Sequence, residues 1–257
     1  MPDASLDPKE RFSSRVDDYV RYRPGYPAAL FERLDVLGCF GPGRVVVDVG
    51  SGTGILSRGL LDSGHGARVV AVEPNAAMRA AAEEALAGRA LFESVDASAE
   101  ATGLPDASAD LVIAAQAFHW FDAPRARAEF ARVLRPAGLV ALVWNQRRDS
   151  PQNRDYLEML ERFAPDYALV RESERSSEAK MRAFFAPVSP TLATFANEQR
   201  LDEAGFRGRL LSSSYAPPQG HPMHGPILAR ADEIFRQHAR GGLVSIEYDT
   251  LMWYGVW

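Results

Sequence analysis

Apolar and polar positions change rhythm repeatedly along the chain, and each change marks an element. Val45-Val46-Val47-Asp48-Val49 is a short β-branched run that stops at glycine, the pattern of a strand buried on both faces. Ile55 to Leu61 then carries apolar residues at helical spacing, with Gly64 as its stop. A second strand is expected over Arg68 to Glu73, and Pro74-Asn75 opens an alanine-rich helix to about Ala87. A third strand falls at Ala90 to Val95 and a fourth at Asp110 to Ala115. Asp122 caps a helix whose apolar face holds Ala126, Phe130, Val133 and Leu134, and Leu139 to Trp144 makes a fifth strand. Strands alternating with helices predict an α/β chain, doubly wound, with a mostly parallel sheet and helices on both faces.

The flanks break this rhythm. Residues 1–43 read as two helical pieces split at Pro24-Gly25-Tyr26-Pro27. Residues 44–145 are the core, and residues 146–190 are charged and helix-prone, a cap insertion within one domain rather than a second domain. In residues 191–257, two alternating stretches (191–199 and 243–254) predict two more strands, with one helix between them over about Met223 to Arg240.

Composition narrows the class. With 46% hydrophobic and 25% charged residues over 257 positions, the chain can build a core that shelters a small-molecule site. Its single cysteine, Cys39, permits no internal disulfide and suggests a reducing, cytoplasmic setting. Met1-Pro2-Asp3-Ala4 has no targeting character, and no run reaches about 18 apolar residues, so no membrane span is expected. A net charge of −5 with scattered arginines argues against a nucleic-acid partner. The oligomeric state is not legible.

The turn after the first strand is Gly50-Ser51-Gly52-Thr53-Gly54. Glycines there tolerate positive φ and bring backbone close to a ligand, and the following helix offers unpaired N–H groups. A dinucleotide fingerprint needs its third glycine at position 55, which is Ile55 here. Asp48, just before the turn, would repel a pyrophosphate but suits the cationic methionine portion of S-adenosylmethionine (SAM). Glu73, at the carboxyl end of the second strand, is placed to accept hydrogen bonds from two ribose hydroxyls.

With those residues in hand, the chain resembles the class I SAM-dependent methyltransferases. The resemblance rests on Val46 to Gly54, Val70-Ala71-Val72-Glu73-Pro74, Ser98-Ala99-Glu100 with Leu104-Pro105, Asp110-Leu111-Val112 and Arg132 to Gly138. Gln116-Ala117-Phe118-His119-Trp120-Phe121, Val143-Trp144-Asn145, Tyr22 to Pro27 and Ser213-Ser214-Tyr215 are similar to a trans-aconitate methyltransferase-like, small-molecule branch. The resemblance implies a Rossmann-like seven-stranded sheet with its last strand antiparallel, SAM as cofactor and S-adenosylhomocysteine as product. It implies that Gly50, Ser51 and Gly52 approach the methionine portion, Glu73 holds the ribose and Pro74 flanks the adenine. Ala99 and Glu100 would meet the adenine edge, with Ser98 where many members carry an acid, and Gln116 would lie under the methionine end. Ala137 stands where glycine is usual.

The acceptor side is less determined. His119, just past the fourth strand, reads as a general base, a pocket wall or a packing residue. Phe118, Trp120, Phe121 and residues 146–190 are expected to build the acceptor pocket. Tyr19, Tyr22, Arg23 and Tyr26 form an aromatic and basic segment, either a lid over the cofactor or a docked amphipathic helix. Arg147 and Arg148 read first as a solvated loop and second as a partner for an acidic substrate. His221 and His224 have no third partner at metal-ligand spacing, so no metal is expected. The stretch Ala115-Gln116-Ala117-Phe118 lacks the Asn/Asp-Pro-Pro-Tyr/Phe pattern of base-amino methylases. The expected activity is methyl transfer to a small molecule, first to a carboxyl or hydroxyl oxygen. The rivals are a SAM-fold protein that binds without methylating, and a dinucleotide oxidoreductase.

Overall fold

The alternating segments assemble into one seven-stranded sheet in the computed structural model, which describes residues 16–63, 65–168 and 179–257. Two short helices come first, α1 (Val16–Tyr22) and α2 (Ala28–Val36). The core then runs β1 (Val45–Val49), α3 (Ile55–Asp62), β2 (Arg68–Val72), α4 (Ala76–Ala85), β3 (Phe92–Val95), β4 (Ala109–Ala115), α5 (Ala123–Val133) and β5 (Leu134–Arg147). After it come α6 (Pro151–Phe163), a helical turn over residues 179–185, β6 (Thr191–Leu201), α7 (Glu203–Leu211), α8 (His224–His238) and β7 (Val244–Val256). Gly64, the expected stop of α3, lies outside the described residues, as do residues 1–15 and 169–178 of the segments read as lid and cap.

The strand order is β3-β2-β1-β4-β5-β7-β6. The first five strands pair in parallel, and β7 runs antiparallel to both neighbours, β5 and β6. All five positions of β1 are buried, because helices cover both faces. Val47 and Val49 pack into a layer with Phe118 and Phe130, while Val46 points the other way, to Leu30, Leu34 and Ile113. A third apolar cluster joins Tyr156 and Leu160 of α6, Phe206 and Leu210 of α7, Ile227 and Ile234 of α8, and Tyr248 of β7.

The chain leaves β1 toward β2 on one side and returns to β4 on the other. This is the topological switch point where the carboxyl ends of parallel strands open a crevice. Sequence caps deliver both walls of it: the Asn75 side chain accepts the Ala77 and Met78 N–H groups at the start of α4, and Asp122 accepts the Arg125 N–H at the start of α5.

Two expectations change, and a third gains its physical reason. Strand β5 is 14 residues long: it reaches back to Leu134, which pairs with Ala109 of β4, and forward to Arg147, because β7 pairs with it continuously from Leu139 to Arg147. Ala137 sits at φ 62°, a left-handed conformation that explains why glycine suits this position. Two helices rather than one separate β6 from β7. The nine-residue α7 contains Gly205 and Gly208, which weaken its helical signal, yet Asp202 caps it by accepting the Gly205 N–H at 2.7 Å. Gly208 is needed for packing, since a Cβ there would stand 2.2 Å from the Tyr22 ring. This close approach seats α1 on α7.

Candidate functional site

At the switch point a cavity of about 900 Å³ opens, lined by the β1–α3 turn, the ends of β2 and β4, the residues after α1, and the far ends of β5 and β7. The turn owes its shape to positive φ at Gly50 (67°) and Gly52 (57°). At Gly50 a Cβ would come 2.6 Å from the Ala117 Cβ, so the turn and the segment after β4 touch only because the side chain is absent. At Gly52 a Cβ would meet only the Met78 sulfur, at 3.7 Å, leaving backbone open to the cavity.

Two buried carboxylates face this turn. Glu73 accepts the Gly52 N–H through one oxygen at 2.9 Å and the Asn75 N–H through the other at 2.8 Å. Burial raises its pKa despite these bonds and the nearby Arg79. Each oxygen keeps a second lone pair for a hydroxyl. Asp48, 1% exposed, accepts the Ser57 hydroxyl at 2.7 Å. Its other oxygen is buried without a partner, as are the Ser51 and Thr53 hydroxyls. Burial pushes Asp48 up to about 7, against the Ser57 bond, with Glu73 adding to the rise. Unsatisfied acceptors, buried hydroxyls and an open glycine backbone together fit a cationic, hydroxyl-bearing ligand such as SAM.

Most of the sequence-nominated residues border this one cavity, among them Tyr19, Arg23, Asp48, Gly50, Ser51, Gly52, Glu73, Pro74, Ser98, Ala99, Glu100, Gln116 and His119. Glu100 lines it while one of its oxygens accepts the Asp122 N–H at 2.9 Å. Gln116 adopts φ 56°, a conformation uncommon outside glycine, and its amide N–H donates to the Asn145 carbonyl at 3.4 Å. His119 stacks near Trp120 (ring centroids 4.7 Å) and Trp144 (6.2 Å). Its Nδ1 is buried without a partner. Burial, helped by Lys180, lowers its pKa to about 4, so the imidazole is neutral at pH 7.

Two nominated neighbours turn away. Phe118 is buried among Phe121, Phe184 and Trp144 instead of forming a pocket wall, because the tight 3₁₀ turn Phe118–Trp120 sends it to the side opposite His119. Tyr22 packs on α7 at Gly208, outside the cavity, whereas Tyr19, Arg23 and Tyr26 line it. The segment after α1 is pinned by polar bonds: Gln199 donates to the Tyr22 carbonyl at 2.7 Å, and Asn145 and Asn197 donate to the Gly25 carbonyl at 3.1 and 2.9 Å.

Arg147 is not a solvated loop residue. It ends β5 and lines the cavity, whereas Arg148, at the cavity's exposed edge, pairs with Asp249 at 3.4 Å. Arg209, Tyr215 and Tyr248 also line the site. Sequence reasoning did not assign them there. The available signal for Arg209 was its position three residues after Phe206, on the buried face of α7. His221 and His224 make local loop bonds, to the Met223 N–H and the Pro217 carbonyl. Among the described residues, no three His, Cys, Asp or Glu side chains gather as a metal site, and no helix is long and apolar enough to cross a membrane.

The sheet order, the antiparallel last strand and the glycine turn with Glu73 beyond it are similar to those of the class I SAM-dependent methyltransferases. Residues 47–142 match the methyltransferase domain family. An uncharacterized methyltransferase of Mycobacterium tuberculosis is 43% identical over 140 residues, 53% of this chain and 52% of its own. A malonyl-[acyl-carrier protein] O-methyltransferase of Hahella chejuensis is 42% identical over 132 residues, 50% of this chain and 46% of its own. The chain thus spans about half the length of the curated relatives it matches. A solved structure described as a type II methyltransferase, from Anaeromyxobacter dehalogenans, superposes with a TM-score of 0.68 at 27% identity, over 91% of this chain and 98% of that one. None of these three carries a name from the trans-aconitate methyltransferase-like branch.

Proposed function

We propose that the protein transfers the methyl group of SAM to an oxygen of a small-molecule acceptor, a carboxylate before a hydroxyl. The observation that carries this reading is the single cavity that joins the Asp48–Gly52–Glu73 turn to a wall of His119, Trp120, Trp144 and Arg147. SAM, when bound, supplies an electrophilic methyl carbon with a neutral thioether as leaving group. Glu73 would hold the ribose hydroxyls, Asp48 would face the cationic methionine portion, and Gly50, Ser51 and Gly52 would line its path. Pro74, Ser98, Ala99 and Glu100 would border the adenine, with Gln116 beneath the methionine end. Tyr19 and Arg23 would close the cavity as a lid over the core, with the segment after β5 as a cap. The protein's chief task is then alignment and exclusion of water.

The state of His119 supports a carboxylate acceptor. A conjugate acid near 4 makes it a poor base toward a hydroxyl, whereas a carboxylate is ionised at pH 7 and needs none. His119 would instead orient the acceptor through a hydrogen bond at its unpartnered Nδ1. The Hahella chejuensis relative is named as an O-methyltransferase, which agrees with transfer to oxygen. Replacing His119 with alanine should lower kcat by about tenfold while the SAM dissociation constant stays within about threefold, the behaviour of a residue that acts on the acceptor. Turnover equal to wild type would remove His119 from the reaction.

Thermal unfolding tests the cofactor. S-adenosylhomocysteine at about a hundredfold over its Kd adds roughly 2.7 kcal/mol, a rise in Tm of about 5–10 °C for a chain of this size. A rise with NAD and none with SAM or its product would overturn the reading. With methyl-labelled SAM, a carboxyl ester releases its label as methanol in mild base, and a label that persists places the methyl group elsewhere.

A further inference from the structure

The two ends of the cavity carry opposite charge. Asp48 and Glu73 stand at the turn; Arg147 and Arg209 stand at the far end with Arg23 near them. Arg209 is only 4% exposed. Its Nε, the Nε and one Nη of Arg147, and the Nε of Arg23 are buried without a hydrogen-bond partner. Among the described residues none of these three arginines forms an ion pair with a carboxylate. Arg148 and Arg154 differ, being tied to Asp249 and Asp149.

What surrounds the far-end pair is phenolic. Arg147 lies over the Tyr156 ring at 4.6 Å with Tyr215 close enough to act on its charge, while Arg209 reaches the Ser213 hydroxyl at 3.2 Å. Burial alone would raise the Tyr215 phenol, yet Arg147, Arg209 and Arg23 hold it below its ordinary value. Two guanidinium groups brought together out of water without a counter-charge are costly to the ligand-free fold. Such an arrangement is expected where an incoming anion supplies the missing charge through forked, charge-assisted bonds.

We propose that Arg147 and Arg209, with the Tyr215 hydroxyl, form an oxyanion subsite that holds a carboxylate or phosphate of the acceptor other than the oxygen that is methylated. The assignment rests on the reading that SAM takes the acidic end. Oxygens held in guanidinium forks have their lone pairs committed, so they are poor nucleophiles and serve as the anchor. The acceptor therefore bears at least two functional groups, one held at the basic end and one presented to the methyl carbon. A carboxyl-methylated product would retain the second anion.

The test uses the full chain loaded with S-adenosylhomocysteine, whose own affinity is measured first. Glutarate, inorganic phosphate and dimethyl glutarate are then titrated, with the fluorescence of the cavity tryptophans Trp120, Trp144 and Trp253 as the signal. Glutarate or phosphate should bind at least about tenfold more tightly than the neutral diester, and the tighter of the two identifies the anion. Arg147→Gln and Arg209→Gln should each weaken that binding by about tenfold or more, with S-adenosylhomocysteine affinity within about threefold of wild type. If either glutamine variant fails to fold, Arg147→Lys, which keeps the charge and loses the fork, should show a smaller loss of the same sign. The proposal is overturned if neither anion binds better than the diester or if the variants bind it as wild type does. A loss of S-adenosylhomocysteine affinity beyond about tenfold in the variants would also overturn it, by placing the arginines in the cofactor site. Failure of wild type to bind S-adenosylhomocysteine at all would instead remove the methyl-transfer reading.

Discussion

Replacing Glu73 with glutamine is expected to weaken S-adenosylhomocysteine binding by about a hundredfold or more, as loss of two hydrogen bonds to a charged acceptor predicts. The reason is more specific than loss of charge. Both Glu73 oxygens already accept backbone N–H groups, from Gly52 and Asn75, and both would be needed for the ribose in the proposed binding mode. A glutamine has one acceptor oxygen. Its NH₂ must face one of the two backbone donors, leaving a buried N–H opposed at a cost of about 1–3 kcal/mol. The glycine turn should therefore loosen, and Tm of the ligand-free protein should fall as well. Glu73→Asp should not rescue, because a chain shorter by one methylene cannot span both N–H groups. Calorimetric titration with S-adenosylhomocysteine checks the first effect and thermal unfolding the second. Binding by the glutamine variant within about threefold of wild type, well under the loss of one such bond, would remove Glu73 from the cofactor site.

Affinity for SAM is expected to rise with pH up to about 7 and then level, with Asp48 as the main cause. Its carboxyl has an ordinary value of 3.8 and is pushed up to about 7, first by burial. Below 7 the ligand-free protein carries a proton there, which a cationic ligand displaces. The dissociation constant should fall by up to about tenfold per pH unit across this range, with one proton released per SAM bound. The same shift acts on stability with a definite sign. A folded-state pKa above the unfolded one means that the folded chain holds the extra proton between 3.8 and about 7. This group's contribution therefore weakens as pH rises through that window, and the cofactor's positive charge offsets the loss. Calorimetry in buffers of different ionisation enthalpy, between about pH 5.5 and 8, measures both the slope and the proton. Asp48→Asn should flatten the larger part of the slope. A wild-type slope near zero, or an undiminished slope in the variant, would show that Asp48 does not meet the cation.

Much of this site was legible because it depends on short spans. Val45 to Val49, the glycines that follow and Glu73 at the next strand end lie within 29 residues, and parallel pairing of β1 with β2 places Val49 beside Val72. Local pattern therefore predicts the end of the cavity at the glycine turn. The opposite end was legible only in part. Arg147, Arg209, Tyr215 and Tyr248 come from β5, α7, the following loop and β7, and only packing brings them together. Arg147 sits in the charged stretch Gln146-Arg147-Arg148-Asp149, where pairing with β7, not composition, decides that Arg147 lies over the Tyr156 ring while Arg148 stays at the cavity's edge, paired with Asp249. Phe118 and His119 make the same point, since adjacent residues in one tight turn go to the core and to the site.

The sequence by itself determined the sheet-forming strands, the glycine turn and the acidic residues that flank it, because β-branched runs, glycine spacing and strand-end carboxylates act over a few residues. Only the tertiary structure decided the ionisation of that site and the character of its far end. Burial lifts Asp48 and lowers His119, packing gathers arginines that have no carboxylate partner, and both belong to the whole fold rather than to any segment of it.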